Sequence, residues 1–244
     1  MIYAVIEYCL MVIRLKKAIF MTAILFIFTF VFLFDYHNVP VFKDNFTQVI
    51  IDAGHGLPDG GAVASDGTIE SDINLKISKA LNNKLESIGI ECLMIRDDEY
   101  SIYDKGETIH AKKVSDIKNR VKICEENSNA LLISIHMNTY PDEKVRGAQV
   151  FYKRNCDLSK NVADELQNAL NLNFQPNFTK KAKEIPSNVY LFKNIKNKCM
   201  LVECGFLTNK NDLKNFKSDE FIEVFTNVLA ETIAYKITGS DVNV

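Results

Sequence analysis

The sequence predicts an α/β protein, a three-layer sandwich in which a mostly parallel or mixed sheet of about six strands is flanked by helices. Short apolar segments typical of buried strands alternate along the chain with segments that repeat apolar residues at helical spacing. This alternation indicates a layered α/β domain. The length of 244 residues, with 47% hydrophobic and 25% charged residues, suits one sizeable domain with additional segments.

Six segments are predicted to be strands. The first, TQVIIDA, has an apolar run that breaks at Gly54. The third, ALLISIH, is almost entirely apolar, as expected of a strand covered on both faces. In chain order, the predicted strands are 47–53, 90–96, 130–136, 147–153, 188–192 and 199–204.

Four longer segments are predicted to be helices. The first repeats apolar residues at helical spacing from Ile73 to Ile88, and Gly89 is suited to end it. A polar, irregular stretch from 97 to about 112 precedes the second. The predicted helices are 70–89, about 113–126, 158–171 and 219–237.

The first forty residues differ from the rest of the chain. Residues 18–34 carry no charge and follow three basic residues within 14–17. Such a segment can cross a bilayer as a helix with its basic flank in the cytoplasm. No small-residue cleavage site follows, which favours an uncleaved signal-anchor over a cleaved signal peptide. The predicted organisation is a cytoplasmic segment at 1–17, a transmembrane signal-anchor at 18–34, a linker at 35–45, the main domain at 46–239 and a tail at 240–244.

The composition argues against two kinds of site. The formal charge of −2 gives no basic footprint for nucleic acid. The five cysteines that follow the apolar segment are irregularly spaced, and no pair forms C-x-x-C. Buried thiols are therefore expected, rather than a disulfide framework or a zinc site built from cysteines.

Side chains suited to catalysis fall where predicted strands end. The strand at 47–53 leads to His55, the strand at 130–136 ends at His136, and Glu203 lies close to the end of the strand at 199–204. Glu70 begins the first predicted helix. Because α/β sheets bind ligands at the carboxyl ends of their strands, these four residues are expected to meet at one edge of the sheet.

Two histidines and one carboxylate around an open position are a common set of catalytic zinc ligands. A bound zinc would polarise a carbonyl and acidify water, and a further carboxylate could carry the proton. Each residue alone also has an ordinary explanation; Glu70, for example, is favoured at a helix start. Glu203 is the hardest to explain in this way, because a carboxylate within an apolar strand is costly without a partner.

The glycine-rich loop after the first strand does not match the nucleotide-binding motifs. The dinucleotide fingerprint requires glycine where Asp59 stands, and Pro58 opposes a helix starting there. The Walker pattern requires lysine where Ala62 follows Gly61. Neither phosphate-binding loop is therefore expected.

Four blocks of the sequence resemble zinc-dependent N-acetylmuramoyl-L-alanine amidases, namely IDAGHGLPDGGA, GTIESDINL, LLISIHMN and LVECGFLTN. They occur in the family's order, and the resemblance extends from about Thr47 to Ile237. The segments GHGLPDGGAV, DINL and GAQVFY are most similar to the spore-cortex, germination-specific branch, the CwlD type. A short membrane-anchored chain without wall-binding repeats is also similar to that branch.

The resemblance implies a role for each of the four residues. His55, Glu70 and His136 match the family's zinc ligands, and Glu203 matches its catalytic glutamate, so one zinc ion per chain is expected. The implied reaction is hydrolysis of the amide between N-acetylmuramic acid and L-alanine of the stem peptide in peptidoglycan. In the spore branch this step precedes formation of muramic δ-lactam, which germination lytic enzymes recognise and which also requires a deacetylase.

The same branch implies a location and partners. The catalytic domain is expected outside the cytoplasm, between the forespore and mother-cell membranes, held by the N-terminal helix or secreted if that helix is cleaved. Peptidoglycan is the expected substrate, an accessory sporulation protein is a further candidate partner, and a peptidoglycan deacetylase is expected to cooperate. No nucleic-acid partner is expected.

Three features depart from the family's usual pattern. The segment KNKCM lacks a common proline, Asn129 replaces a common aspartate, and TKKAKEI carries lysines where relatives often carry an arginine. The four chemical residues are untouched. Alternatives are a vegetative cell-wall amidase, a membrane-tethered peptidoglycan-binding module without catalysis, and an enzyme that uses Cys204 as its nucleophile. Strand alternation weakens the last of these, because it points Cys204 away from Glu203.

Overall fold

The computed structural model of the chain describes residues 48–238 and three isolated positions, 11, 17 and 21. Apart from position 21, the predicted membrane segment at 18–34, the linker at 35–45 and the tail at 240–244 lie outside the described residues. Within the described part of the chain, no helix is both long and apolar enough to cross a membrane.

The centre of the domain is a mixed sheet of six strands in the order β2-β1-β3-β6-β4-β5. The first four strands in this order run parallel, β4 is antiparallel to β6, and β5 is parallel to β4. The predicted mixed sheet of about six strands is therefore confirmed. The strands are β1 Val49–Ala53, β2 Cys92–Met94, β3 Leu131–Asn138, β4 Gln149–Tyr152, β5 Lys183–Glu184 and β6 Cys199–Phe206.

Helices cover both faces of this sheet, which confirms the layered α/β architecture. Helices α1, α3 and α6 share one apolar core with one face of the sheet, while α2 and α4 pack on the opposite face. The helices are α1 Glu70–Ser87, α2 Ile109–Glu126, α3 Asp157–Phe174, α4 Tyr190–Asn194, α5 Lys210–Lys217 and α6 Asp219–Thr238.

The central strands are apolar because both of their faces are buried. Along β3, Ile133 and Ile135 belong to the core under α1, α3 and α6, whereas Leu132 belongs to the core under α2 and α4. Side chains alternate between the faces of a strand, so a strand buried on both sides needs an almost continuous apolar run. Polar residues in these strands therefore require a local explanation.

The predicted strand at 188–192 is wrong, because this segment enters helix α4 at Tyr190. A short apolar run does not distinguish a strand from a buried helical turn. Here Leu191 and Phe192 are buried against the sheet face. The edge position is taken instead by β5, whose two exposed residues, Lys183 and Glu184, give no apolar signal.

Two helix boundaries depart from the sequence prediction. Helix α2 begins at Ile109 rather than near residue 113, because Thr108 caps it: its Oγ1 accepts a hydrogen bond of 3.1 Å from the Ala111 N–H. Helix α5 was not predicted at all. The end of α1 is as expected, since Gly89 follows its last turn with a φ of 82°.

Candidate metal centre and active site

The four residues singled out in the sequence lie at one edge of the sheet. His55 follows β1, Glu70 is the first residue of α1, and His136 and Glu203 are register partners on β3 and β6. Glu70 Oε1 lies 3.3 Å from His55 Nε2 and 3.0 Å from His136 Nδ1. One ligand atom from each of His55, Glu70 and His136 lies within 4.8 Å of the others. The predicted convergence is therefore present.

The loop that carries His55 needs glycine at two positions, because His136 and Glu70 occupy the space that a side chain there would fill. A Cβ at Gly54 would lie 2.3 Å from ring atoms of His136, and a Cβ at Gly61 would lie 2.6 Å from Glu70 Oε2. Gly61 and His55 both have positive φ, 74° and 60°. Glycine adopts such a backbone without strain, whereas His55 is held there by its surroundings.

Two buried arginines, which the sequence prediction missed, hold the backbone of this loop. Arg120 donates hydrogen bonds to the carbonyls of Ala53 and His55, at 3.0 and 2.6 Å, and forms ion pairs with Asp52 and Asp116. Asp52 also accepts a hydrogen bond of 2.6 Å from Ser134. This network, from β1, α2 and β3, fixes the point at which the chain leaves the sheet.

Arg96 holds the same loop from the other side. It donates to the carbonyls of Ala53, Gly54 and Ser71 at 2.8, 3.0 and 2.9 Å. Burial and the neighbouring Arg120 lower the pKa of Arg96 to about 10, so it stays charged at neutral pH. A detectable signal was present, since Arg96 is a charged residue at the end of an apolar strand segment.

The Glu70 carboxylate is surrounded by hydrogen-bond donors. Its Oε2 accepts from the Ala62 N–H at 2.9 Å, and its Oε1 accepts from the Met137 N–H at 3.3 Å. Burial would raise the pKa of Glu70, but the two imidazoles, His136 and His55, hold it well below its usual range. Glu70 is therefore a fixed negative charge between two rings.

Asp59, a third residue that the prediction missed, orients His55. Its Oδ2 lies 3.2 Å from His55 Nδ1 and 2.8 Å from Lys113 Nζ. Burial would lower the pKa of His55, but Asp59 and Glu70 outweigh it and raise that pKa to about 9. With Nδ1 engaged by Asp59, Nε2 faces Glu70. Metal-binding histidines are commonly oriented by a carboxylate in this way.

Glu203 has the opposite environment. Its Oε2 is buried and has no hydrogen-bond partner among the described residues. Burial raises the pKa of Glu203, against an opposing effect from His136, with Glu70 adding to the rise. A carboxyl group that holds its proton more tightly than usual, beside a set of metal ligands, is suited to proton transfer.

Comparison with known families decides the identity of the domain. Residues 49–235 match the family described as N-acetylmuramoyl-L-alanine amidase, Amidase_3. The chain belongs to this amidase family. It is an N-acetylmuramoyl-L-alanine amidase, a hydrolase that acts on peptidoglycan, and the cluster of His55, Glu70 and His136 is consistent with a zinc hydrolase.

Individual relatives support this assignment. The chain is 34% identical to a germination-specific N-acetylmuramoyl-L-alanine amidase of Bacillus subtilis over 67% of this chain and 68% of the relative. The amidase LytC of the same species is 28% identical over 69% of this chain and 31% of its own length. The CwlD amidase of Clostridioides difficile, solved in complex with the GerS lipoprotein, superposes with a TM-score of 0.74 at 32% identity, covering 79% of this chain and 99% of that one.

In this amidase, Cys204 lies on the wrong side of the sheet to act as a nucleophile. Its side chain is buried in the core shared with α1, α3 and α6, away from the face that carries His136 and Glu203. Burial also raises the pKa of the Cys204 thiol well above its usual value. The thiolate needed for attack is therefore disfavoured.

A groove of about 620 Å³ opens beside the amidase site. Its floor includes His55 and His136, one wall is the N-terminal half of α2, and the other is the start of α4. Val114 and Ile117 on α2 and Tyr190 on α4 make much of this lining apolar. The volume lies within the range of pockets that enclose small organic ligands.

Proposed function

We propose that this amidase is a zinc enzyme in which His55, Glu70 and His136 hold the ion and Glu203 transfers the proton. The observation that carries the proposal is the convergence of three ligand atoms within 4.8 Å of one another. Two imidazoles and one carboxylate fit the zinc set that leaves a position open for catalysis. The close fit of Gly54 and Gly61 around these side chains supports a preformed site.

When bound, zinc would supply Lewis acidity, polarising the scissile carbonyl and lowering the pKa of water. The proton transfers are carried out by a residue of the chain. Glu203 accepts a proton as water oxygen bonds to the carbonyl carbon of the lactyl group. The carbon–nitrogen bond then breaks, and Glu203 returns the proton to the leaving nitrogen of L-alanine. The products are a lactyl carboxylic acid and a free stem peptide, and the acid passes its remaining proton to the released amine, so atoms and charge balance.

The surroundings of Glu203 support this role. A general acid–base group works best when its pKa lies near the working pH, and burial moves an ordinary glutamate in that direction. Glu70 could not take this role, because its donors keep it ionised. Asp59, Arg96 and Arg120 act as positioning residues that hold His55 and its loop.

We further propose that the substrate is spore-cortex peptidoglycan, and that the reaction contributes to muramic δ-lactam formation together with a separate deacetylase. Similarity to a germination-specific amidase supports the cortex over the vegetative wall. The structure of the CwlD amidase in complex with the GerS lipoprotein supports an accessory protein partner for this chain as well. The apolar segment at 18–34 supports anchoring at a membrane with the domain outside the cytoplasm.

The test is made on the purified full chain. It should hold about one zinc ion and release free stem peptides from peptidoglycan, which mass spectrometry of the products identifies. Unchanged muropeptides after long incubation of the zinc-bound protein would leave a non-catalytic wall-binding module as the better description. Loss of muramic δ-lactam from the cortex of a strain lacking the gene would support the cortex assignment, and normal δ-lactam would contradict it.

A further inference from the structure

The wall that α2 contributes to the groove carries basic side chains beside the proposed metal site. His110, Lys113 and Lys118 all line the groove, and the two lysines supply its ammonium groups on α2. The helix begins at this end, so its N-terminal dipole adds to the positive potential. Lys113 is close to the site, because its partner Asp59 also contacts His55.

The carboxylates that line the groove leave donors of Lys113 and Lys118 available to an anion. Asp52 and Asp116 are held by Arg120 beneath the groove. Asp59 is shared between His55 and Lys113. Among the described residues, the ammonium group of Lys118 has no hydrogen bond or ion pair, and Lys113 uses one contact of its three possible donors. The Lys113 side chain is 55% exposed, so an anion in the groove can reach it.

The two halves of the substrate differ in charge, and this difference orients it. The N-acetylated sugar half is neutral near the scissile bond, whereas the stem peptide carries free carboxylates beyond L-alanine. The available lysine donors on this wall therefore complement the peptide half. The apolar side chains of Val114, Ile117 and Tyr190 offer contacts for the aliphatic parts of a peptide.

We propose that Lys113 is a specificity-determining residue that binds the carboxylate of the stem-peptide residue following L-alanine, and so places the peptide half of the substrate between α2 and α4. The inference rests on the proposed function and deepens it. Lys113 lies only one side chain, Asp59, away from His55, so a carboxylate on Lys113 belongs to a residue close to the scissile amide. The glycan half then extends away from this groove.

The test compares two soluble muramyl peptides that are identical except for the residue after L-alanine, which has a free carboxylate in one and a carboxamide in the other. The wild-type full chain should prefer the carboxylate form. Lys113→Met should reduce the ratio of the two kcat/KM values about tenfold, mainly through KM, because one charge-assisted hydrogen bond is lost. Lys113→Arg should restore most of the ratio.

The matched control is Lys122→Met on the same helix. Lys122 lies outside the groove and has only a loose contact of 3.9 Å with Glu126, so the substrate preference should stay at the wild-type value. A wild-type chain without preference, or a Lys113→Met variant that keeps it, would overturn the proposal. Equal loss on both substrates would also overturn it, since that outcome indicates damage to the site through Asp59.

Calorimetry of the free acidic tripeptide and its carboxamide separates this inference from the proposed function. If the wild-type chain hydrolyses neither substrate, the proposed function fails. Lys113 is still supported if the carboxylate peptide binds more tightly than the carboxamide to wild type but not to Lys113→Met. Equal binding of both peptides to wild type would overturn the assignment of Lys113, whatever the activity.

Discussion

Glu70 and Glu203 are two carboxyl groups at the same edge of the sheet, in opposite surroundings. Glu70, at the start of α1, accepts hydrogen bonds from two backbone N–H groups and lies between two imidazoles. Glu203, on β6, has a buried oxygen without a partner among the described residues. Both are largely withdrawn from solvent, so burial does not distinguish them. The two carboxyl groups differ instead in the number of hydrogen-bond donors around them.

This difference divides the chemistry of the site. Donors and positive neighbours stabilise the ionised form, which suits a metal ligand, whereas burial without donors stabilises the protonated form, which suits proton transfer. The pKa of Glu70 is held below its usual range despite burial, and that of Glu203 is raised by burial. Pairs of carboxyl groups whose environments separate their pKa values in this way commonly have different catalytic roles.

The largest expected effect is that of Glu203→Gln on turnover. The amide keeps the shape but cannot accept the proton of water, so kcat should fall about 1,000-fold. Zinc content should stay near one ion per chain, because Glu203 is not a proposed ligand. Glu184→Gln, an exposed change on β5, is the control and should keep wild-type turnover. Loss of zinc from Glu203→Gln would place this residue among the ligands and break the comparison.

The next effect is that of Glu70→Gln on metal affinity. Loss of the charged ligand should weaken zinc binding by more than about 100-fold. Loss of a residue that only orients a ligand weakens metal binding by up to about 100-fold, and loss of the ligand itself should cost more. Turnover should recover in part when zinc is added in excess, unlike turnover of Glu203→Gln. Titration against a zinc-binding dye measures the affinity. Asp72→Asn, in the same first turn of α1, should bind zinc as wild type does; a similar loss there would indicate a general effect on the helix.

A smaller effect on affinity is expected at Asp59. Asp59→Asn keeps an acceptor near His55 Nδ1 but removes its charge, so zinc affinity should fall about tenfold. The same titration measures this loss, with the exposed Asp66→Asn as the control. Unchanged affinity in Asp59→Asn would show that the loop held by Arg96 and Arg120 orients His55 without the carboxylate.

The smallest effect is a gain in stability in the zinc-free protein. Because the folded pKa of Glu203 is raised above its unfolded value, ionising this group costs stability as pH rises through that interval. Glu203→Gln removes the cost and should stabilise the zinc-free chain at neutral pH. The gain should vanish below the unfolded pKa of about 4. Urea unfolding at both pH values measures it, and a loss of stability at neutral pH would contradict the account.

The sequence predicted that four residues would meet at one edge of the sheet, and for three of them the prediction follows from a simple rule. His55, His136 and Glu203 lie where apolar strands end, and parallel strands bring their carboxyl ends to one edge. The position of Glu203 within an apolar strand was itself a signal, since a buried charge needs a function or a partner. The layered α/β fold was predicted from the alternation of strand-like and helix-like segments along the chain.

The residues that the sequence did not predict depend on contacts between distant segments. Arg120 donates a hydrogen bond to the carbonyl of His55, which lies 65 residues earlier in the chain. No local sequence pattern predicts such a contact. Asp59 looked like an ordinary loop residue until the fold placed it against His55 and Lys113. The sequence did not predict the groove either. One of its walls is α4, and the short apolar run of α4 is equally typical of a strand.

The division of work between Glu70 and Glu203 is tested most directly by locating zinc in crystals of the metal-loaded protein through anomalous scattering. The account predicts one ion bound to His55, Glu70 and His136, with ligand distances of about 2.0–2.2 Å. Glu203 should lie beyond ligand distance and face the open position. An ion bound by Glu203 in place of Glu70, or an ion outside this cluster, would contradict the account.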